Sequence, residues 1–495
     1  MGLSAPGLNQ WYLAWCGLIP LLLLSVSAPG VGPAFLRGLS FGVCYNLVYL
    51  NWYLGLHPLT WLGFNLWQSW LLAALAWLIV SVHQGLIVGL FSGLCRLLPL
   101  AGGFIPRRVE ERWHLPALIA IPLAWVLLEN KLGNAHDLLG VPWSMLEYSQ
   151  YRQLPLLQIT SWIGGIGLGF LIVLVNVALA GILATATNRL SWKALSAPTI
   201  GAAVRQVMTV ALLITLVYAF GLSSMAASVS RASENLSVLQ GNINIDMQKT
   251  VHRYTLDELL RHFTPLVNRC PPGLCIWTES ALPIYLKREG PALSVVAQQA
   301  ERGKLDMLIG ALDRDAGGRP YNSVFGITSG GRLLSTVYHK RYLVPFGEYT
   351  PCLVEYMPEW VRRLTNTPAG GGFAAGQGPA VLSLPSGKVA PLVCFETLSP
   401  ELVASSVRAG GTLLVNVSDL AWFHNSMIGE QMLAFSVLRA TESRRYFVFA
   451  ANSGPSTIVS ATGNITALSP VADKYVLTGK VAFLSEVTPF SRWFR

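Results

Sequence analysis

Charged side chains are scarce in this sequence. Asp, Glu, Lys and Arg make up 12% of its 495 residues, whereas an average soluble domain contains roughly 25%. Hydrophobic residues make up 52%, and the mean hydropathy is +0.47. This balance excludes a chain that is soluble over its whole length and indicates a membrane protein.

Two other features are missing. No block rich in Lys and Arg alternates with aromatic residues, so the net charge of +10 does not indicate a nucleic-acid partner. The seven cysteines are too few to form the disulfide framework of a chain this long. Cys270 and Cys275 are close enough in sequence to form a disulfide in an oxidising compartment. The sequence does not decide between that disulfide and two free thiols.

Long apolar stretches fill the first 226 residues, whereas residues 236–485 form short alternating segments separated by Gly, Pro and Asn. This contrast predicts a transmembrane domain at 1–230 and a water-exposed domain at 231–495. A helix needs about 20 apolar residues to cross the hydrocarbon of a bilayer. Six stretches meet that length, near 11–28, 34–56, 64–98, 115–131, 160–186 and 204–226.

The loops between these helices predict the orientation, because Lys and Arg accumulate on the cytoplasmic side. The connections after the first, third and fifth helices carry eight positive charges, and the other connections and the amino-terminal tail carry only Lys131 and Arg152. The domain after the sixth helix is therefore expected outside the cytoplasm. No basic residue precedes the first apolar run, so a cleavable signal peptide is not expected.

The outer domain alternates strand and helix patterns, which predicts layered α/β packing with helices on the sheet faces. A short helix is expected to begin at Ser399, with Pro400 in its first position. Strands are predicted at 236–243, 274–279, 306–313, 321–328, 333–340, 389–394, 412–418 and 446–451, and longer helices at 247–268, 291–302 and 429–445. In such packing, polar chemistry belongs at strand ends.

Three strand ends carry an ionisable residue. Glu279 ends the stretch CIWTE, Lys340 ends TVYHK, and Cys394 ends APLVC. Taken singly, they have ordinary explanations, as a solvated acid, a surface charge and a core thiol. Taken together, they supply what acyl transfer through a thiol needs: a nucleophile, a carboxylate that takes its proton, and a cation near the developing oxyanion.

The sequence around these residues resembles the nitrilase superfamily, and more closely its membrane branch, the apolipoprotein N-acyltransferases. The motifs are WTESALP at 277–283, YHKRYLVPFGEY at 338–349, VCFE at 393–396 and DLAWF at 419–423. The resemblance implies a polytopic α-helical membrane domain followed by a nitrilase-like αββα sandwich, with a Glu-Lys-Cys triad at Glu279, Lys340 and Cys394. It also implies a second essential acid at Glu348 and places Glu396 beside the nucleophile.

The reaction implied by this resemblance is ping-pong. Cys394, deprotonated by Glu279, attacks the sn-1 ester of a phospholipid and becomes an S-acyl thioester, while Lys340 stabilises the oxyanion. The free α-amine of a diacylglyceryl-cysteine at the amino terminus of a lipoprotein then takes the acyl chain. The implied partners are a phospholipid donor and a diacylated apolipoprotein, and the implied location is the bacterial inner membrane with a periplasmic catalytic domain. No cofactor or metal is implied.

Other residues are candidates for supporting roles or substrate contacts. Phe395 stands where the family usually has Tyr, so a hydroxyl is absent beside the nucleophile. Trp422 and Phe423 are candidates for the acyl pocket, with ordinary packing as the alternative.

Two stretches between the lysine and the cysteine are candidates for a lipid entrance. Residues 353–363, LVEYMPEWVRR, combine Met357 and Trp360 with two arginines, as an interfacial arm would. Residues 369–378 are glycine-rich and suit the hinge of a lid. An ordinary surface helix and a disordered loop remain equally open.

Two further functions compete with acyl transfer to a lipoprotein. A membrane-tethered amidase or nitrilase would use the same triad on a small carbon–nitrogen substrate in a narrow polar pocket, whereas the acyltransferase needs an apolar groove. A non-catalytic lipid-binding scaffold would have lost activity, and the intact triad argues against it.

Overall fold

The structure, a computed structural model, describes residues 1–60, 63–101, 107–109, 112–133, 142–187, 200–227, 233–244, 255–345, 347–349 and 372–494. The chain divides into two compact units. The first contains residues 1–54 and 70–228, and the second contains residues 55–69 and 229–495. The segment 55–69 therefore belongs to the second unit, although its sequence lies between two helices of the first. The hydropathy pattern does not predict this assignment.

Apolar helices dominate the first unit. The α-helices described there are α1 (Ile19–Val26), α2 (Val31–Tyr49), α3 (Leu66–Leu97), α4 (Ala117–Gly133), α5 (Leu154–Leu157), α6 (Thr160–Thr187) and α7 (Ile200–Ala227). Short 3-10 helices lie at Gly2–Ser4, Trp11–Trp15, Asn51–Leu56 and Leu146–Gln150. Three short strands, β1 (Leu100–Ala101), β2 (Arg107–Val109) and β3 (Arg112–Pro116), form a sheet of order β1-β3-β2.

Each of the six predicted membrane stretches contains a helix, but they differ in length. In the described part of the chain, α3, α6 and α7 are long and apolar enough to cross a membrane. α1 has 8 residues and α4 has 17, while α2 has 19 but carries Arg37 and Asn46. Three of the described helices thus qualify on length and composition, and the count of six spans stays a prediction. These three support a membrane protein.

The second unit contains two β-sheets and the helices that cover them. Its strands are β4 (Glu234–Gln240), β5 (Gly273–Trp277), β6 (Leu282–Tyr285), β7 (Leu305–Arg314), β8 (Pro320–Ile327), β9 (Leu333–His339), β10 (Leu382–Leu384), β11 (Gly387–Val393), β12 (Leu413–Ser418), β13 (Phe447–Ala451), β14 (Thr457–Val459), β15 (Ile465–Leu468) and β16 (Tyr475–Val481). One sheet has the order β16-β4-β5-β7-β8-β9, with β6 paired to β7, and the other has the order β10-β11-β12-β13-β14-β15.

Helices cover the outer faces of both sheets. They are α8 (Leu256–Val267), α9 (Gly290–Gly303), α10 (Pro400–Arg408), α11 (Ile428–Ser443) and α12 (Pro489–Trp493), with 3-10 helices at Leu286–Arg288, Cys394–Leu398 and Ala421–Phe423. Phe263 of α8 and Val296 of α9 are buried in one core with Trp277 and Ile309 of the first sheet. α10 and α11 contact β11 and β13, and the two sheets contact each other through β4 and β13. The αββα sandwich implied by the resemblance is confirmed.

Local sequence explains where two of these helices begin. Thr255 caps α8 by accepting from the Glu258 N–H at 3.3 Å, while the Glu258 side chain accepts from the Thr255 N–H at 2.7 Å. Ser399 accepts from the Leu402 N–H at 3.2 Å, so the predicted start of α10 is confirmed. Such caps satisfy backbone donors that have no partner inside the helix.

Two features of the second unit were open or unpredicted. Cys270 and Cys275 are free thiols with their sulfur atoms 3.8 Å apart, so the structure has no disulfide at this pair. β16 pairs with β4 along seven residues, and its sequence YVLTGKV is interrupted by Gly479 and Lys480, which weakens the strand signal.

Candidate active site

The ends of three strands meet at one edge of the sandwich. β5 and β7 are parallel, and β8 and β9 follow β7 as antiparallel neighbours, so β5 and β9 run in the same direction. Glu279 follows β5 and Lys340 follows β9 at their carboxyl ends. Cys394 follows β11 of the other sheet and begins a 3-10 helix.

A lysine ammonium group lies at the centre of this edge. Lys340 is 1% exposed, and its Nζ lies 3.1 Å from Oε1 of Glu279 and 2.8 Å from Oε2 of Glu348. Burial by itself lowers the pKa of Lys340, but the negative charges of Glu279 and Glu348 outweigh it and hold the pKa well above its usual value. Lys340 therefore remains a cation and cannot act as a base near neutral pH.

Glu279 is held on both oxygens. Oε1 accepts from Nδ2 of Asn322 at 2.8 Å, and Oε2 accepts from the backbone N–H of Asp419 at 3.0 Å. Burial raises the pKa of the Glu279 carboxyl, with Lys340 opposing the shift. A carboxylate with a raised pKa is a stronger base, which suits it to take a proton from a thiol.

Glu348 shares its donor with Glu279. Nδ2 of Asn322 lies 2.9 Å from Oε1 of Glu348, and the Val344 N–H donates to Oε2 at 2.9 Å. The backbone of Gly372 packs so closely that a methyl group there would collide with the Glu348 carbonyl oxygen. The carboxylate is thus fixed by its own loop and by the neighbouring strand.

Cys394 lies in a strained backbone conformation at the end of β11. Its φ is 54°, and the side chain is 6% exposed. Its carbonyl accepts from Nδ2 of Asn416 at 2.8 Å, which fixes the turn. Burial raises the pKa of the Cys394 thiol well above its usual value, and Glu279 raises it further, while Lys340 lowers it. The thiol therefore needs a base to act as a nucleophile at neutral pH.

The Ser418 hydroxyl, at the end of β12, also influences this sulfur. It favours the thiolate, although its oxygen is outside hydrogen-bond geometry to every polar group in the described residues. We regard it as a dipole near the thiol and not as a bonded partner.

Glu396 joins the strand that carries the lysine to the strand that carries the cysteine. Its carboxylate is fully buried and accepts from the Tyr338 hydroxyl at 2.7 Å, the Val393 N–H at 2.6 Å, the Arg341 N–H at 2.6 Å and the Tyr342 N–H at 3.1 Å. Burial raises its pKa, and the four donors oppose this shift. Glu396 is a positioning residue, because its bonds reach the backbone on both sides of the site.

The predicted substrate contacts are only partly described. The Phe395 and Phe423 rings contact each other with centroids 5.9 Å apart, and both are buried. Trp422 is half-buried on the same 3-10 turn as Phe423. Met357 and Trp360, with the whole stretch 353–363, lie outside the described residues.

The described end of the glycine-rich stretch is not a free hinge. The N–H of Phe373 donates to the Glu348 carbonyl and that of Gly376 to the Lys340 carbonyl, each at 2.8 Å. Gly372 and Gly376 there permit close backbone approach rather than motion. Residues 369–371 of the predicted hinge lie outside the described residues.

Sequence reasoning missed two residues that organise the site. Asn322 bridges both glutamates from within β8, and the Asp419 backbone holds Glu279. An Asn inside the apolar strand PYNSVFGI is a detectable signal, since buried amides need polar partners. A backbone N–H donor such as that of Asp419 cannot be recognised from the residue types in the sequence. In the described residues, no group of three or more His, Cys, Asp or Glu side chains is arranged to hold a metal ion.

Comparison with known proteins identifies the family. Residues 1–178 match the apolipoprotein N-acyltransferase N-terminal domain, and residues 247–484 match the carbon-nitrogen hydrolase domain. An apolipoprotein N-acyltransferase of Geobacter metallireducens is 34% identical over 487 residues, which cover 97% of this chain and 87% of the relative. The chain belongs to the apolipoprotein N-acyltransferase family. A member from Gloeobacter violaceus is 31% identical and covers 100% of this chain and 88% of its own length.

Solved structures of the nitrilase superfamily are also similar to part of the chain. Nit3 of Saccharomyces cerevisiae has 14% identity and a TM-score of 0.39, covering 51% of this chain and 93% of Nit3. An amidase from Nesterenkonia sp. has 16% identity and a TM-score of 0.38, covering 55% of this chain and 97% of the amidase.

Proposed function

We propose that this chain is an apolipoprotein N-acyltransferase that moves an acyl chain from a phospholipid, through a thioester on Cys394, to the amino-terminal amine of a diacylated lipoprotein. The observation that supports this most is the buried Lys340 ammonium between Glu279 and Glu348, close enough to Cys394 for their charges to act on its thiol. Family membership supplies the substrate class, and this cluster supplies the chemistry.

The first step forms the thioester. Glu279 takes the thiol proton as the Cys394 sulfur attacks the ester carbon, and the Lys340 ammonium stabilises the negative charge on the carbonyl oxygen. The ester C–O bond then breaks. The lysophospholipid oxygen leaves with the proton that Glu279 had taken, and the acyl chain remains on sulfur.

The second step transfers the chain to nitrogen. The free amine of the lipoprotein attacks the thioester carbon, and Glu279 accepts its proton. The C–S bond then breaks, and Glu279 returns the proton to the departing sulfur, which gives an amide and the original thiol. A thioester is more easily attacked by an amine than an ester is, so the covalent intermediate divides one difficult reaction into two easier ones.

The cellular arrangement belongs to the same proposal. We place a transmembrane domain at residues 1–230 in the bacterial inner membrane and the catalytic domain at 231–495 on its periplasmic side. The excess of Lys and Arg in alternate loops of the helical region supports this orientation. Both substrates are anchored in the bilayer, so a site next to the membrane gains effective concentration.

Incubation of the purified full-length protein with a palmitoyl phospholipid tests the function. We expect a palmitoyl-sized mass increment on the peptide that contains Cys394, released by neutral hydroxylamine, and N-acylation of a diacylated lipopeptide added afterwards. Cys394→Ser should retain the fold and lose both products. N-acylation that proceeds while Cys394 stays unmodified would contradict the covalent mechanism.

A further inference from the structure

The segment 55–69 contacts the loop that leaves β12 beside the candidate active site. Both belong to the second unit. Nδ1 of His424 lies 2.8 Å from the carbonyl oxygen of Gly55, so the imidazole donates a hydrogen bond there. A methyl group on Gly55 would collide with the Phe423 carbonyl oxygen and lie 2.9 Å from Cβ of Ser426. We call Gly55, Phe423, His424 and Ser426 the clasp.

The backbone at the clasp is strained. His424 has φ 47° and ψ −148°, a combination that residues with a Cβ rarely adopt. Such a conformation is unfavourable and persists only where its surroundings fix it. The hydrogen bond to Gly55 is one such restraint, and the absence of a side chain on Gly55 permits the close approach.

A buried serine bonds to the described part of the segment 55–69. The Ser69 hydroxyl accepts from the Leu59 N–H at 2.7 Å and lies 2.9 Å from Nδ1 of His57. Leu66 and Trp67 of the same segment are 63% and 70% exposed. An exposed Trp side chain at the start of an apolar helix is typical of the interface between lipid and water, so the segment suits a position at the membrane surface.

The loop held by the clasp also touches the reacting groups. Its first residue, Asp419, donates its backbone N–H to Glu279, and the ring of Phe423 contacts Phe395, which directly follows Cys394. A shift of the clasp therefore moves an aromatic side chain next to the nucleophile.

We propose that Gly55 and His424 are positioning residues that fix Phe423 as one wall of the site for a long acyl chain. The proposal rests on the function proposed above and adds a determinant of donor chain length. The clasp acts through Phe423 and therefore governs how well a long acyl chain fits. It does not move Glu279, Lys340 or Cys394.

Kinetics of thioester formation by the full-length protein test this, with palmitoyl and short-chain phospholipids compared. In Gly55→Ala, we expect KM for the palmitoyl donor to rise about tenfold, since a change of one methylene in an apolar pocket alters discrimination by about 10–200-fold. KM for the short-chain donor should change less than about twofold, because it does not reach the displaced wall.

His424 provides a second and independent pair of variants. His424→Ala should reproduce the loss of chain-length preference. His424→Asn should restore it, since Asn tolerates positive φ and carries an amide nitrogen that can donate to Gly55. Gly290→Ala is the matched control, because Gly290 is exposed and has no heavy atom within 4 Å of an added methyl group.

The outcomes separate this inference from the proposed function. A wild-type protein that forms no thioester overturns both. A second result is that the wild-type protein forms the thioester while the Gly55→Ala and His424→Ala variants keep its chain-length preference. That result overturns the proposed role of the clasp and leaves the proposed function standing. Equal losses with both donors, accompanied by a lower thermal midpoint, would assign the clasp a structural role only and would also overturn it.

Discussion

Replacing Glu279 by Gln should slow acyl transfer and, at the same time, speed chemical alkylation of Cys394. Burial raises the pKa of the Cys394 thiol, and the Glu279 carboxylate raises it further. Glutamine removes that negative charge but keeps an oxygen that can accept from the Asp419 N–H. The thiol pKa should therefore fall, and more of the thiol is ionised at any fixed pH below its pKa.

The size of the effect follows from two opposing terms. Each unit by which the pKa falls multiplies the thiolate fraction by about ten. A less basic thiolate is also a weaker nucleophile, with a Brønsted coefficient of about 0.4–0.5. The net gain in alkylation is therefore about threefold to fourfold per unit. Acyl transfer should instead fall by roughly 10²–10⁴-fold, because the general base is lost.

The assay is the initial rate of iodoacetamide labelling, measured by mass spectrometry on the peptide that contains Cys394. A pH of about 8 lies below the ordinary thiol pKa and keeps the rate sensitive to ionisation. The wild-type protein, labelled under the same conditions, serves as the reference.

Two further variants test the direction in which each charge changes the labelling rate of Cys394. Glu348→Gln should speed labelling of Cys394 less than Glu279→Gln does, because Glu348 exerts the weaker effect on the thiol pKa. Lys340→Met should slow labelling, because the ammonium lowers that pKa. Unchanged or slower labelling in Glu279→Gln would refute the electrostatic account of the site.

Three other substitutions have defined outcomes. Lys340→Met leaves two buried carboxylates without their cation and should destabilise the fold by about 3–5 kcal/mol, which denaturant unfolding measures. Asn322→Leu removes a donor to ionised Glu279 and raises its pKa, so the acidic limb of the kcat/KM profile should move to higher pH, and an unmoved limb would contradict this. Tyr338→Phe removes one of four donors to Glu396 and should cost about 1.5–3 kcal/mol, measured as a lower unfolding midpoint.

The strand ends of the site were predictable from the sequence for a physical reason. An apolar run that stops at an ionisable residue marks the point where a buried strand reaches a sheet edge, and parallel strands bring such points together. Glu279 and Lys340 follow this rule, and the structure joins them at 3.1 Å. The alternation of strands and helices predicted layered α/β packing, and the family resemblance implied the αββα order of the layers. These roles in catalysis stay proposals.

Other features left no mark in the pattern of residues. The Asp419 donor is a backbone group, which every residue except proline carries. The segment 55–69 is apolar and adjoins α3, so hydropathy alone extends the membrane region through it. Helix length is another such feature, since α1 and α4 are apolar but have only 8 and 17 residues. Helix length depends on where the chain turns, which tertiary packing decides.

Three residues that frame the site have a left-handed backbone conformation. Ser280, Cys394 and His424 have φ values of 48°, 54° and 47°. Ser280 lies beside the buried Glu279 carboxylate, the Cys394 carbonyl accepts from the buried Asn416 amide, and exposed His424 donates to the Gly55 carbonyl. A left-handed residue other than glycine costs about 1–3 kcal/mol and survives only where the surroundings over-determine it. The groups at this edge are therefore held in place before any substrate binds, so substrate binding need not provide the free energy to align them.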